Sequence, residues 1–286
     1  MNHPPTVDPG PDETIPYQNQ WDEEGTFVQA TGSDPDAHAL RYQWADESGH
    51  VFSNFNQAGL PIRDPGVYKY TVTVTDGRGG SGSATKTVTI APTKEIVLHA
   101  GAIGESTGPA WVSVADTSAA SGTRMYNPDR GAPKITAPLA NPANYFTAQF
   151  VADPTVTYKL WVRLKADRNA SGNDSLWMQF TGAVDAPTGA PAYRPGTTSG
   201  LAINLEECSG CGESGWGWED DGWGAVNRNG TTLRFERGGP QQIWIQQRED
   251  GVSIDQIVLS AEKYLTTRPG AAKNDQTILP YTFFPN

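Results

Sequence analysis

The chain of 286 residues is short of sulfur and imidazole, with 2 Cys, 3 Met and 4 His. A single cysteine pair excludes a structural four-cysteine zinc site within one chain. All the histidines, His3, His38, His50 and His99, precede Ser106. The G-x-S-x-G match at Gly104-Glu105-Ser106-Thr107-Gly108 therefore lacks the His base that follows the Ser in α/β-hydrolases, and a Gly-rich β-loop is the plainer reading. No apolar run approaches the roughly 20 residues that a bilayer-spanning helix needs, and no membrane insertion is expected. No segment holds a 3.6-residue hydrophobic period, which excludes a helical bundle. Positive charge is scarce as well: 21 Lys and Arg face 32 Asp and Glu, a net charge of −11. That balance disfavours nucleic acid, anionic membrane surfaces and polyanionic substrates as partners. The first 93 residues carry 5 basic and 12 acidic groups and the remainder 16 and 20, so the deficit is concentrated near the N-terminus.

What the chain has in quantity is turn formers and aromatics: 31 Gly, 22 Pro, 9 Trp, 10 Tyr and 9 Phe. Many short strands joined by turns follow from that, and the length suits two domains. The opening MNHPPTVDPG has neither a basic n-region nor an apolar h-region, so no signal peptide is expected within this sequence, which reads as an excised fragment.

Residues 2–90 alternate as strands. Val67–Thr75 and Ser83–Ile90 form the clearest pair, joined by Asp76-Gly77-Arg78-Gly79-Gly80, a hairpin with glycines available for positive φ. The G-x-G-x-x-G match at Gly77–Gly82 runs into a strand, so it offers no helix N-terminus to a pyrophosphate. Asn2-His3-Pro4-Pro5, the Ser33-Asp34-Pro35-Asp36 turn, Tyr42-Gln43-Trp44 and the run from Gly66 to Gly77 resemble the polycystic-kidney-disease (PKD) family of β-sandwiches. The family's Trp-Asp-Phe-Gly-Asp-Gly segment is missing after Trp44. The resemblance implies a PKD or immunoglobulin-like sandwich over 1–91, acting as a spacer beside a working domain.

After a short linker at 92–94, strands are expected at Glu95–Ala100, Tyr145–Phe150, Thr157–Lys165, Ser175–Phe180, Leu201–Leu205, Thr232–Phe235, Gln241–Arg248 and Ser253–Ser260. An all-β, jelly-roll type sandwich over 95–265 fits them, with a tail at 266–286 expected to pack on it.

Seven of the nine Trp follow Lys94, and Trp216, Trp218 and Trp223 lie in one Gly-rich acidic loop running from Glu206 to Gly224. Sugars present apolar C–H faces and hydroxyl rims, so a sugar site needs flat indoles with carboxylates and amides nearby. These three Trp with Glu219, Asp220, Asn173 and Asp174 form the leading candidate set. The competing reading plugs the indoles inward over the sandwich end and makes Asn-Asp-Ser an ordinary turn. Cys208 and Cys211 in the same loop read as a small disulfide, with free thiols or a partial metal site as alternatives.

Strand parity supplies a second aromatic face. Leu160, Val162 and Leu164 oppose Trp161, Arg163 and Lys165; Leu176, Met178 and Phe180 oppose Trp177 and Gln179; Ile243 and Ile245 oppose Trp244, Gln246 and Arg248. If these strands are neighbours, Trp161, Trp177, Trp244, Arg163 and Gln179 share one surface. It is either a second glycan platform or a face covered by the tail, through Ile278, Leu279, Phe283 and Phe284.

Tyr158–Ala166, Asn173–Trp177 and Arg248–Leu259 resemble carbohydrate-binding modules of the family 6 and family 35 type, jelly rolls of secreted bacterial glycan-active proteins. The resemblance implies polysaccharide or oligosaccharide binding through loops at one end of the sandwich, an extracellular or cell-surface location, and a structural Ca²⁺ near the first and last strands. Glu95 and Asp255 are the residues here that offer hard oxygens to such an ion. Glu95-Ile96-Val97 replaces the family's Glu-Ala-Glu, which weakens that implication. No catalytic residues and no other cofactor are expected. The alternatives are a self-associating extracellular subunit such as an adhesin or filament protein, and a glycoside hydrolase or lyase using Glu206, Glu207, Glu219, Asp220 or Asp221 as a carboxylate pair. Asn169, Asn173 and Asn229 lie in N-x-S/T patterns.

Overall fold

A computed structural model of the chain describes residues 1–21, 25–225 and 231–282. The chain divides into two compact units, one of residues 1–93 and one beginning at Lys94.

The first unit is built on a five-stranded sheet in the order Glu13–Pro16, Ser81–Ala91, Gly66–Thr75, Arg41–Ala45, Val51–Ser53. Two further pairs, Thr6–Asp8 with Thr31–Ser33 and Phe27–Gln29 with Gln57–Gly59, complete it. Alternation decides the core: Tyr70, Val72, Val74 and Val88 point inward with Trp44, all 2 % exposed or less. In the long hairpin Asp76 Oδ1 accepts the amides of Arg78 and Gly80, and Gly77 and Gly79 take φ of 69° and 97°, as the turn requires.

The second unit has two antiparallel sheets. One runs Val112–Ala115, Thr123–Tyr126, Val252–Ser260, Tyr158–Ala166, Thr232–Phe235, Ala183–Asp185; Glu95–His99 also pairs with Val252–Ser260, and Gly217–Glu219 with Tyr158–Ala166. The other runs Glu105–Thr107, Tyr145–Ala152, Gly239–Gln247, Ser175–Phe180, Leu201–Asn204. The aliphatic halves of the alternating strands, Leu160, Val162, Leu164, Leu176, Met178, Phe180, Ile243 and Ile245, are fully buried. The all-β sandwich expectation is borne out. The G-x-S-x-G match sits on the Glu105–Thr107 edge strand, exposed throughout.

All nine residues of Val252–Ser260 are buried, because its outer face is covered too. Val97, Trp161, Trp218 and Val258 form a second apolar cluster there, capped by Tyr264 and Leu279. The Leu279 carbonyl also accepts His99 Nε2 at 2.9 Å and Gln256 Nε2 at 2.8 Å, and Thr282 exchanges hydrogen bonds with Val97. The segment after Lys263 is thus an outer layer on this sheet, while Ile278 is 44 % exposed. Phe283 and Phe284 lie outside the described residues.

Candidate functional site

The acidic, Trp-rich loop is mostly structural. Gly217–Glu219 is a strand, correcting the expectation that this segment is irregular. Joining the sheet beside Val162–Leu164 drives Trp218 into the outer cluster at 0 % exposure, where its Nε1 donates to Asp275 Oδ2 at 3.1 Å. Trp216, 4 % exposed, lies under the cations of Arg163 and Lys165, 5.0 and 5.5 Å from its ring, and donates to Ser118 Oγ. Neither indole presents a face to a ligand, so both are withdrawn as stacking platforms. Trp223 alone of the three is exposed, at 52 %.

The two carboxylates of the loop in the candidate set are paired with cations. Glu219 pairs with Arg268 at 3.2 Å, and Asp220 with Lys159 and Thr231. Burial pushes the Glu219 carboxyl up to about 8, against the pull of Arg268. Asn173 is buried, its Nδ2 donating to Asp129 Oδ2 and the Asp167 carbonyl, so the turn reading of Asn-Asp-Ser describes it. Asn169 is exposed, and Asn229 lies outside the described residues. Cys208 and Cys211 form a disulfide.

The proposed single face of Trp161, Trp177 and Trp244 is two faces. Trp161 belongs to the eight-stranded sheet, 5 % exposed, with Nε1 donating to the Tyr264 carbonyl under the tail. Arg163, on the same strand, is buried in ion pairs with Asp255 and Asp275. A register shift between Arg163 and Leu164 leaves Asp255 as the extra residue of the partner strand, turned to the same side. This also removes the Glu95 and Asp255 metal pair. Glu95 is opposite Ser260, five residues and so about 17 Å along the strand from Asp255. Asp255 is taken by Arg163, and Glu95 accepts from Ser260 Oγ and the Lys263 amide. These two residues do not fit the family's calcium.

Trp177 and Trp244 do share the outer face of the five-stranded sheet, in the register Trp177 opposite Gln246 and Gln179 opposite Trp244. Tyr145 stacks on Trp244, centroids 4.2 Å apart and planes 9° apart. Between them the amides lock the face: Gln246 Nε2 donates to Gln179 Oε1 at 2.8 Å, and Gln179 Nε2 is within 3.0 Å of the carbonyls of Arg194, Thr197 and Ser199. Gln179 is therefore a brace, not a free ligand contact. Trp177 Nε1 donates to the Ile135 carbonyl, and the Arg248 guanidinium lies 5.8 Å from its ring.

The two segments braced this way wall a cleft of about 550 Å³ whose lining includes Trp177, Pro138, Asp185, Thr188, Tyr193 and Ser199. One oxygen of Asp185 accepts the Thr188 amide and hydroxyl, and the other is buried without a partner. Trp177 was legible from strand parity; the Asp185 and Tyr193 wall was not, because 186–200 is aperiodic turn sequence. Tyr193 adopts φ 51°, a conformation no residue pattern announces.

No protein-family model matches the chain, and no curated protein matches it. Among solved structures, a PKD domain from a human protein is similar at 18 % identity over 33 % of this chain and 87 % of that one, TM-score 0.27. A family 35 carbohydrate-binding module from Clostridium thermocellum is similar at 16 % identity over 58 % of this chain and 98 % of that one, TM-score 0.31. A Podospora anserina β-(1,4)-mannanase carrying such a module gives 13 % identity over 59 % of this chain and 28 % of that one, TM-score 0.34. Likenesses of this size leave function to the residues themselves.

Proposed function

We propose that the protein binds a polysaccharide or oligosaccharide without transforming it, in the cleft beside Trp177, as part of a secreted or cell-surface bacterial protein in which the first unit is a spacer. The observation that supports this is the cleft itself. The half-buried Trp177 indole shares the cleft lining with Asp185, Thr188, Tyr193 and Ser199, which carry a carboxylate and hydroxyls. An indole and hydrogen-bonding groups in one lining suit a pyranose, which has C–H faces and a hydroxyl rim. Among the loop carboxylates a hydrolase would draw on, Glu207 and Glu219 pair with Arg268 and Asp220 with Lys159, which favours a structural use of these groups.

Affinity gels and calorimetry against a panel of neutral and charged polysaccharides test the reading. Retardation by at least one glycan, weakened in Trp177→Ala, is expected. No binding by the wild type to any member, or undiminished binding by the variant, would remove the assignment to this cleft.

A further inference from the structure

Where Ser175–Phe180 begins and Leu201–Asn204 ends, four carboxylates converge. Asp174 precedes the first strand and is fully buried; Glu206 and Glu213 flank the disulfide turn and are 9 % and 8 % exposed; Glu249 is 5 % exposed. Oxygens of Asp174, Glu206 and Glu213 all lie within 4.8 Å of one another.

Their environments differ in a way that matters. Glu249 is compensated: Lys134 Nζ is 2.7 Å from it and Ser175 donates to it. Glu206 is held as an acceptor by the amides of Gly210 and Gly212, inside the turn that Cys208–Cys211 closes. Asp174, by contrast, takes a hydrogen bond from no amide, hydroxyl or cation, its polar neighbours being the carboxyl groups of Glu249 and Glu213, and Glu213 Oε1 is likewise buried without a donor. In the neighbouring acidic cluster of Glu219, Asp220 and Asp221, by comparison, Arg268 pairs with Glu219, Lys159 pairs with Asp220, and Asp221 is exposed. No ion pair joins Asp174, Glu206 or Glu213 to a Lys, Arg or His among the described residues. Three buried carboxylates with no cation among them repel one another and forfeit hydration, a cost that an entering cation offsets.

We infer that Asp174, Glu206 and Glu213 form a binding site for one divalent cation, and that the cation is Ca²⁺. The donors are all carboxylate oxygens, and both cysteines are consumed in the disulfide, so a hard ion is selected over zinc or copper. Calcium accepts six to eight oxygens at flexible angles, which carboxylates from two loops supply with water, whereas Mg²⁺ demands a tighter octahedron. Bound there, the ion ties the disulfide turn to the start of Ser175–Phe180. The site stands whether or not the cleft at Trp177 takes a sugar.

The test is calcium chloride alone, titrated calorimetrically into the EDTA-stripped full chain, with thermal melts in EDTA and in about 1 mM calcium. One calcium per chain and a melting temperature raised by about 5 °C or more are expected. Asp174→Asn and Glu213→Gln each abolish or weaken binding at least tenfold, while Glu207→Gln, in the same loop but exposed and paired with Arg268, leaves it unchanged. Glu213→Gln decides the matter if Asp174→Asn fails to fold. Absence of uptake by the wild type at millimolar calcium, or uptake unaltered in Glu213→Gln, would overturn the assignment.

Discussion

Trp218 Nε1 and Arg163 Nε both donate to one oxygen, Asp275 Oδ2, at 3.1 and 2.9 Å. One tail carboxylate thereby joins three separated parts of the chain: a short strand from the acidic loop, the central Tyr158–Ala166 strand, and the outer layer. Its backbone contributes as well, the Asp275 amide donating to the Trp216 carbonyl and its carbonyl accepting Arg163 Nη2.

Asp275→Ala should therefore act on stability rather than on ligand. It leaves Arg163 with Asp255 as its sole acid partner and strands the Trp218 indole N–H. A loss of about 3–5 kcal/mol in denaturant unfolding is expected, with faster proteolysis of the tail at native conditions.

Arg163→Lys keeps the charge and loses the fork that reaches two carboxylates and two carbonyls at once. Equilibrium unfolding should show a cost of about 2–3 kcal/mol, since hydrogen bonds to charged groups are the stronger kind and an ammonium replaces only some of them. A change below about 0.5 kcal/mol would mean that the buried network contributes little.

The indoles should separate by role. Trp218→Ala empties a fully buried site and should destabilise by about 3–5 kcal/mol, with the folded fraction binding glycan normally. Trp177→Ala should weaken glycan binding about tenfold or more at little cost in melting temperature. Trp223→Ala, at an exposed indole away from the cleft lining, should change neither; a loss of affinity there would move the site to the loop.

Glu219 predicts a pH dependence. Its carboxyl is near 8 when folded and near 4.5 when unfolded, so between those values the folded chain keeps a proton that the unfolded chain releases. Stability due to this group is full below about 4.5 and falls as pH rises through 8, by at most about 1.4 kcal/mol per pH unit. Unfolding midpoints across this range should show the slope in the wild type, and Glu219→Gln should flatten it.

Alternation made the strands legible: each aliphatic half of Tyr158–Ala166, Ser175–Phe180 and Gly239–Gln247 is where period two puts it, because a sheet with one buried face imposes that period on side chains. Short pieces such as Gly217–Glu219 and Ala183–Asp185 were not legible, since three residues carry no period and pair only because a neighbouring strand offers an edge. Parity identified Trp161, Trp177 and Trp244 as outward-facing but could not say from which sheet, and Trp161 went to the other one.

From its order of residues alone the protein was committed to two all-β units, an inward aliphatic set and an outward aromatic one. Those follow from local alternation, turn chemistry and the insolubility of apolar side chains. Tertiary structure decided which outward aromatics meet solvent. The tail covers Trp161 and Trp218, and Arg163 and Lys165 cover Trp216, leaving Trp177 beside a cleft. It also decided which carboxylates find cations: Glu219 and Asp220 meet Arg268 and Lys159, and Asp174 meets only other acids. Covering layers and charge pairs join residues far apart in the chain, 112 positions for Arg163 and Asp275, and no local pattern encodes a partner at that distance.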